Sequence, residues 1–211
     1  MTPKQIHTQN VAIRLIENFK KRGILSEYCE TKEDALRALL SLIPEGASIG
    51  YGGSMTLAEC GALEALKKGN YRLLVREDAK TPEEQKALYR EMLFSDYFLT
   101  SANAITEDGE LVNIDGRGNR VAFLTWGPEH VVVIAGMNKV TPDLESALAR
   151  AKNVAAPMNA LRLSRKTPCT KLGKCADCQS PDCICASTVI TRRSHVPGRI
   201  TVLLVGETLG Y

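Results

Sequence analysis

Short β-branched apolar runs alternating with amphipathic stretches constrain this chain more than any other feature. Residues 131–135, Val-Val-Val-Ile-Ala, are too few for a helix of ordinary length and carry no polar face, which suits a strand buried on both sides. Such a strand belongs inside a parallel sheet covered by helices. Around it, residues 47–51, 71–75, 97–101, 188–192 and 199–206 read as further strands. Residues 3–22, 56–68 and 141–154 carry apolar positions at helical spacing, as does the stretch opened by Thr31-Lys32-Glu33-Asp34. Thr81-Pro82-Glu83-Glu84 has the chemistry of another helix start, and Gly23 suits the end of the first helix. Asp108-Gly109 between residues 104–106 and 111–114 predicts a hairpin, and residues 121–124 read as a strand. The expected fold is a single α/β domain over 1–211, with a mostly parallel sheet flanked by helices.

The segment 167–186 departs from this pattern. It has almost no apolar periodicity, is rich in Cys, Pro, Gly, Lys and Asp, and precedes the closing strands as an inserted loop. Five of the seven cysteines fall in it: Cys169, Cys175, Cys178, Cys183 and Cys185. Cys175-Ala176-Asp177-Cys178 has the two-residue spacing that lets one turn aim two thiolates at one ion or cluster. Lys171 and Lys174 favour thiolate over thiol, and Gly173 lets backbone N–H groups approach sulfur. The N-terminal residues lack a signal-like apolar stretch and no run is long enough to span a membrane, so a cytoplasmic location without membrane insertion is expected, where thiols stay reduced. Metal ligation is therefore favoured over disulfides. The preferred ligand set is Cys169, Cys175, Cys178 and Cys185, with Cys183 set aside; zinc and an iron–sulfur cluster both satisfy four thiolates. Cys29 and Cys60 stand on element faces as packed thiols.

Three further segments suggest a pocket. Gly50-Tyr51-Gly52-Gly53-Ser54-Met55-Thr56 joins a strand to a helix, where Gly52, Gly53, Ser54 and Thr56 suit an anion or a tight capped turn equally well. It lacks the P-loop and dinucleotide fingerprints. The polar stretch containing Asn103, Asn113, Asp115 and Arg120 is richer in glycine and Asx residues than one hairpin requires. Asn138 and Lys139 follow the apolar run 131–135, at the carboxyl end of a strand, where open α/β sheets bind ligands. The three histidines are scattered, no Gly-x-Ser-x-Gly motif occurs, and the basic excess, 27 Lys+Arg against 24 Asp+Glu, forms no block that calls for nucleic acid.

These motifs resemble the lactate-utilisation (LUD domain) family over nearly the full chain. The matching pieces are residues 50–56, Ser101-Ala102-Asn103-Ala104-Ile105-Thr106-Glu107-Asp108-Gly109, residues 113–120, Gly136-Met137-Asn138-Lys139, and the cysteine loop, whose Cys169, Cys175, Cys178 and Cys185 match the family pattern while Cys183 departs from it. The resemblance implies a fold like the sugar-phosphate isomerase and CoA-transferase superfamily. It also implies a pocket for a carboxylate- or phosphate-bearing metabolite, and an electron-transfer role in oxidation of lactate or a similar 2-hydroxy acid beside other lactate-oxidation subunits. The cofactor expected on that basis is a [4Fe–4S] cluster; the alternative is a structural zinc in an enzyme or sensor of a small anionic metabolite.

Overall fold

The computed structural model describes residues 1–211. In chain order its regular elements are α1 (Pro3–Lys21), β1 (Leu25–Cys29), α2 (Lys32–Leu42), β2 (Ser48–Tyr51), α3 (Met55–Glu59), α4 (Ala62–Lys68) and β3 (Arg72–Leu74). Then follow α5 (Pro82–Met92), β4 (Tyr97–Thr100), β5 (Ala104–Thr106), β6 (Leu111–Asp115), α6 (Asn119–Thr125), β7 (His130–Gly136) and β8 (Val140–Thr141). The last are α7 (Leu144–Arg150), a π-helical turn (Ala151–Ala155), α8 (Ala156–Arg162), α9 (Pro168–Leu172), β9 (Ser187–Thr191) and β10 (Ile200–Val205).

Six strands form a sheet in the order β1-β10-β7-β4-β2-β3, every pairing parallel. The alternation of the strand backbone divides its side chains between two cores. Phe98, Val131, Val133, Val202 and Leu204 pack with Leu15 and Phe19 on one face, while Leu99, Val132, Ile134, Leu203 and Val205 pack with Leu39, Leu57 and Leu66 on the other. This explains why β7 carries no polar face: both of its sides are covered. Cys29 and Cys60 are buried in the second core, as packed thiols. A second, four-stranded sheet in the order β8-β5-β6-β9 contains the hairpin, with Ala104 opposite Val112 and Ile105 opposite Leu111.

Local chemistry sets the helix ends. Thr2, Thr31 and Thr81 each accept from a backbone N–H three residues on while that residue's side chain reaches back, and Gly23 ends α1 with φ of +69°. Residues 121–124 are not a strand but the body of α6. Val121, Phe123 and Leu124 are buried while Ala122 is exposed, and Gly118, at φ +78°, turns the chain into the helix. A four-residue apolar run has no period long enough to separate the two conformations. Residues 140–141 are a strand rather than a helix start, and α7 begins after Asp143, which accepts from the Ser146 N–H at 2.7 Å. Helical backbone then continues past residue 154 through the π turn, which accommodates Pro157 and its missing N–H. Edge strand β1, Leu-Ser-Glu-Tyr-Cys, has too mixed a pattern to be announced by its residues. No helix is long and apolar enough to cross a membrane.

Candidate functional site

Three adjacent parallel strands, β2, β4 and β7, end at one edge of the large sheet, and the residues that follow each of them meet there. Gly52 leaves β2, Ser101 leaves β4, and Lys139 stands three residues beyond β7. The lysine is 3 % exposed. Its Nζ donates to Thr56 Oγ1 at 2.9 Å and to Ser101 Oγ at 3.0 Å. Burial, reinforced by the charges of Arg150 and Arg120 and opposed by Glu59, brings its ammonium down from 10.5 to about 7. Near neutral pH this amine is divided between its charged and neutral forms.

Behind it, Arg120 ties the two sheets together. Its guanidinium donates to the Ser101 carbonyl at 3.0 Å, Asn113 Oδ1 at 2.6 Å, Asn103 Oδ1 at 2.9 Å and the Ile114 carbonyl at 2.7 Å, with Asp115 3.7 Å away. Asn103 Oδ1 also accepts from the Ile114 N–H, and Asp115 Oδ1 accepts from the N–H groups of Arg117 and Gly118, an Asx turn that closes β6. Arg120 therefore holds the wall, its donors committed to Ser101, Asn103, Asn113 and Ile114.

Between the sheets opens a cavity of about 470 Å³. Gly52, Gly53, Ser54, Thr56, Asn103, Asp115, Arg120 and Lys139 all line it. Asn113 and Asn138 do not. Asn113 is buried against Arg120, and Asn138 accepts from the Leu209 N–H at 3.1 Å, fastening the C-terminal segment to the end of β7. Ser101 and Arg117, from the motifs at 101–109 and 113–120, complete the wall together with Arg76, Arg162 and Arg165, which the sequence did not single out. Those three arginines lie in two separate stretches, outside any motif, so no local pattern announces them. Six basic side chains face three acidic ones, Glu77, Asp115 and Asp182, which makes the cavity attractive to an anion.

The cysteine loop forms part of the same wall through Pro181, Asp182, Cys183 and Ile184. Gly116 permits this approach: a Cβ there would lie 3.0 Å from Ile184 Cα and 3.4 Å from the Cys183 carbonyl oxygen. Arg165 Nη1 holds Asp182 at 2.9 Å, and the Lys166 N–H donates to the same carboxylate at 2.6 Å. On the other side the π turn supplies Asn153, whose Oδ1 accepts from the Cys175 N–H at 3.2 Å, while Ala155 and Ala156, two and three residues on, line the cavity. Anion cavity and cysteine loop are thus two faces of one structure.

All five loop cysteines are free thiols, half-buried or exposed. The chemistry of the donor set fits a thiolate-bound metal or cluster. The Asp177 N–H donates to Cys175 Sγ at 3.3 Å across the Cys175-Ala176-Asp177-Cys178 turn, where Asp177 takes a positive φ of 46°. Cys183, Cys175 and Cys178 stand near enough to Cys185 that their charges, after burial, push its thiol up to about 11, with Cys183 in hydrogen-bonding reach. A cation would relieve that mutual repulsion. Cys169, in the first turn of α9, meets Thr167 Oγ1 at 3.1 Å. The sulfurs are not drawn together into a group of three or more with ligating geometry.

The family model described as LUD domain matches residues 13–205. Among solved structures, a DUF162 family protein from Deinococcus radiodurans has a similar fold, with a TM-score of 0.56 and 11 % sequence identity over 94 % of this chain and 98 % of that one. No curated protein matches the chain.

Proposed function

The chain belongs to the lactate-utilisation (LUD) domain family, and from that premise we propose that it is a redox accessory of 2-hydroxy-acid oxidation, binding a small carboxylate- or phosphate-bearing metabolite beside a thiolate-ligated iron–sulfur cluster. One observation carries this reading: the cationic cavity at the carboxyl ends of β2, β4 and β7 is walled by residues 181–184 of the cysteine loop. Arg76, Arg117, Arg162 and Arg165 at the wall attract and orient the anion, while Thr56, Ser101 and Lys139 present hydrogen-bonding groups at the strand ends. Cys169, Cys175, Cys178 and Cys185 are the thiolates assigned to the cluster, with Cys183 the fifth sulfur close by. A four-iron cluster held there supplies one-electron transfer. In this role the protein works in the cytoplasm, handing electrons to or from other subunits of the oxidation system.

Anaerobic purification tests the cofactor. Iron and acid-labile sulfide should accompany the protein, with a visible absorbance that a reductant bleaches reversibly and that Cys178→Ser abolishes. Stoichiometric zinc without visible absorbance would replace the redox role with that of a non-redox anion-binding enzyme or sensor. The cavity is tested separately by titrating lactate, pyruvate and inorganic phosphate against thermal stability, where a bound anion raises the melting temperature with concentration.

A further inference from the structure

The lysine at the floor of the cavity has an arrangement that anion binding alone does not require. A binding lysine is normally a solvated, charged ammonium. Lys139 Nζ is instead buried against two hydroxyls, and a neutral primary amine has two N–H donors to give: one to Thr56 Oγ1 at 2.9 Å, one to Ser101 Oγ at 3.0 Å. On its other side the backbone of Gly210, at φ +57°, passes so near that a Cβ would stand 3.3 Å from Nζ and 2.4 Å from Thr56 Oγ1. The amine is therefore fixed, covered from behind and placed on the cavity wall. Arg120 and Arg150, the cations nearest it in effect, already have their hydrogen bonds committed to carbonyl and amide oxygens. Their field disfavours a third positive charge at Nζ and favours an anion beside it.

Those are the requirements of a nucleophilic amine serving a negatively charged carbonyl compound. We propose that Lys139 forms an imine with the carbonyl carbon of a 2-oxo acid bound in the cavity. The inference rests on the anion-binding part of the proposed function and adds to it a covalent step. The Nζ lone pair forms the C–N bond as the carbonyl π pair moves to oxygen, which takes up a proton; the resulting carbinolamine then loses that oxygen as water. Amine plus ketone gives imine plus water, with no oxidant or reductant consumed. Ser101 and Thr56, both hydrogen-bonded to Nζ, are the hydroxyls placed to pass protons between nitrogen and oxygen.

Borohydride trapping of the full-length protein tests the step. With pyruvate present, hydride reduction should fix one pyruvate-derived unit as a secondary amine on the peptide containing Lys139, as read by mass spectrometry. Lactate, which has no carbonyl to attack, should give no adduct. Lys139→Met should lose the label while retaining its circular dichroism and a cooperative unfolding transition, and peptide mapping of the unaltered protein gives the same answer should that variant misfold. Label absent from Lys139, or scattered over exposed lysines such as Lys4 and Lys86, overturns the imine. Where pyruvate still raises the melting temperature in that case, the anion-binding reading stands; where neither pyruvate, lactate nor phosphate does, that reading falls as well and takes the imine with it.

Discussion

Lys139 and Arg120 show at the level of single residues how one site divides its cations between two tasks. Arg120 is consumed by structure. Replacing it with Met removes a donor from the carbonyls of Ser101 and Ile114 and from the side-chain oxygens of Asn103 and Asn113, leaving Asn103 Oδ1 only the Ile114 N–H, a loss of about 3 kcal/mol measurable by urea denaturation. Lys139 carries the opposite liability. Its ammonium titrates at about 7 in the folded chain against 10.5 when exposed, so between those values the unfolded chain binds more protons. Its penalty is present in full below pH ~7 and is relieved as pH rises toward ~10, a gain of roughly 3 to 5 kcal/mol. Arg150, Arg120 and Glu59 are the charged groups that set this shift. Cys29 works the other way above pH ~9, because burial raises its thiol from 9.0 to about 12 and the unfolded chain then ionises first. The difference in urea midpoint between Lys139→Met and the unaltered protein should therefore shrink steadily from pH ~7 to ~10; a difference that stays constant would show that Lys139 is charged in the fold. The sequence pointed to Lys139 through its place after an apolar strand, and to Arg120 through its polar neighbours. It had no means of telling the amine from the guanidinium in role, since that depends on hydrogen bonds to Ser101 and Thr56, 38 and 83 residues away from Lys139.

At the level of elements, what could be read from the chain followed from how local each signal is. The helix starts at Thr31 and Thr81, the hairpin at Asp108-Gly109 and the buried strand β7 are set within a few residues and appear where the chain announces them. Helix α6 was read as a strand because four apolar residues carry no usable period, and edge strand β1 escaped because its neighbours rather than its own residues make it a strand. The cysteine loop was legible by composition, whereas its seat against the cavity was not, because that seat depends on Gly116 meeting Cys183 and Ile184 from a strand nearly 70 residues earlier. Gly116→Val tests the seat. Its added side chain must displace Ile184, so residues 173–186 should become more sensitive to limited proteolysis and phosphate or lactate should bind more weakly. Global stability should fall by only about 1 kcal/mol, the core lying elsewhere. Unchanged proteolysis and unchanged anion affinity together would show that the contact does not anchor the loop.

Across the whole molecule, the large parallel sheet is a rigid platform whose carboxyl edge collects groups from β2, β4 and β7, and the small sheet closes the space above it. The arginines of the wall come from three separate stretches of chain, at Arg76, at Arg117 and Arg120, and at Arg162 and Arg165, so the strongest electrostatic feature of the protein exists only in the assembled fold. It has a consequence in solution: affinity for inorganic phosphate should weaken as ionic strength rises through the range where the screening length drops below ~10 Å, and Arg76→Gln combined with Arg162→Gln should reduce both the affinity and its salt dependence.

Because residues 181–184 belong at once to the cysteine loop and to the cavity wall, and Asn153 and Ala155 lie on one π turn facing both, occupancy of either site must bear on the other. On the proposed reading, a metal held by the thiolates would order the loop, and a loop already ordered would spare an arriving anion that cost. Anion binding should therefore be about 5-fold or more tighter in the loaded protein than after removal of the metal by a chelator, a coupling of about 1 kcal/mol. Reciprocity requires that phosphate or lactate raise the equilibrium metal affinity by the same factor. Calorimetry on the loaded and stripped forms gives the first ratio and competition with the chelator gives the second. Equal affinities in both forms would mean that the shared wall is only a boundary, with the cavity and the cysteines acting as independent sites.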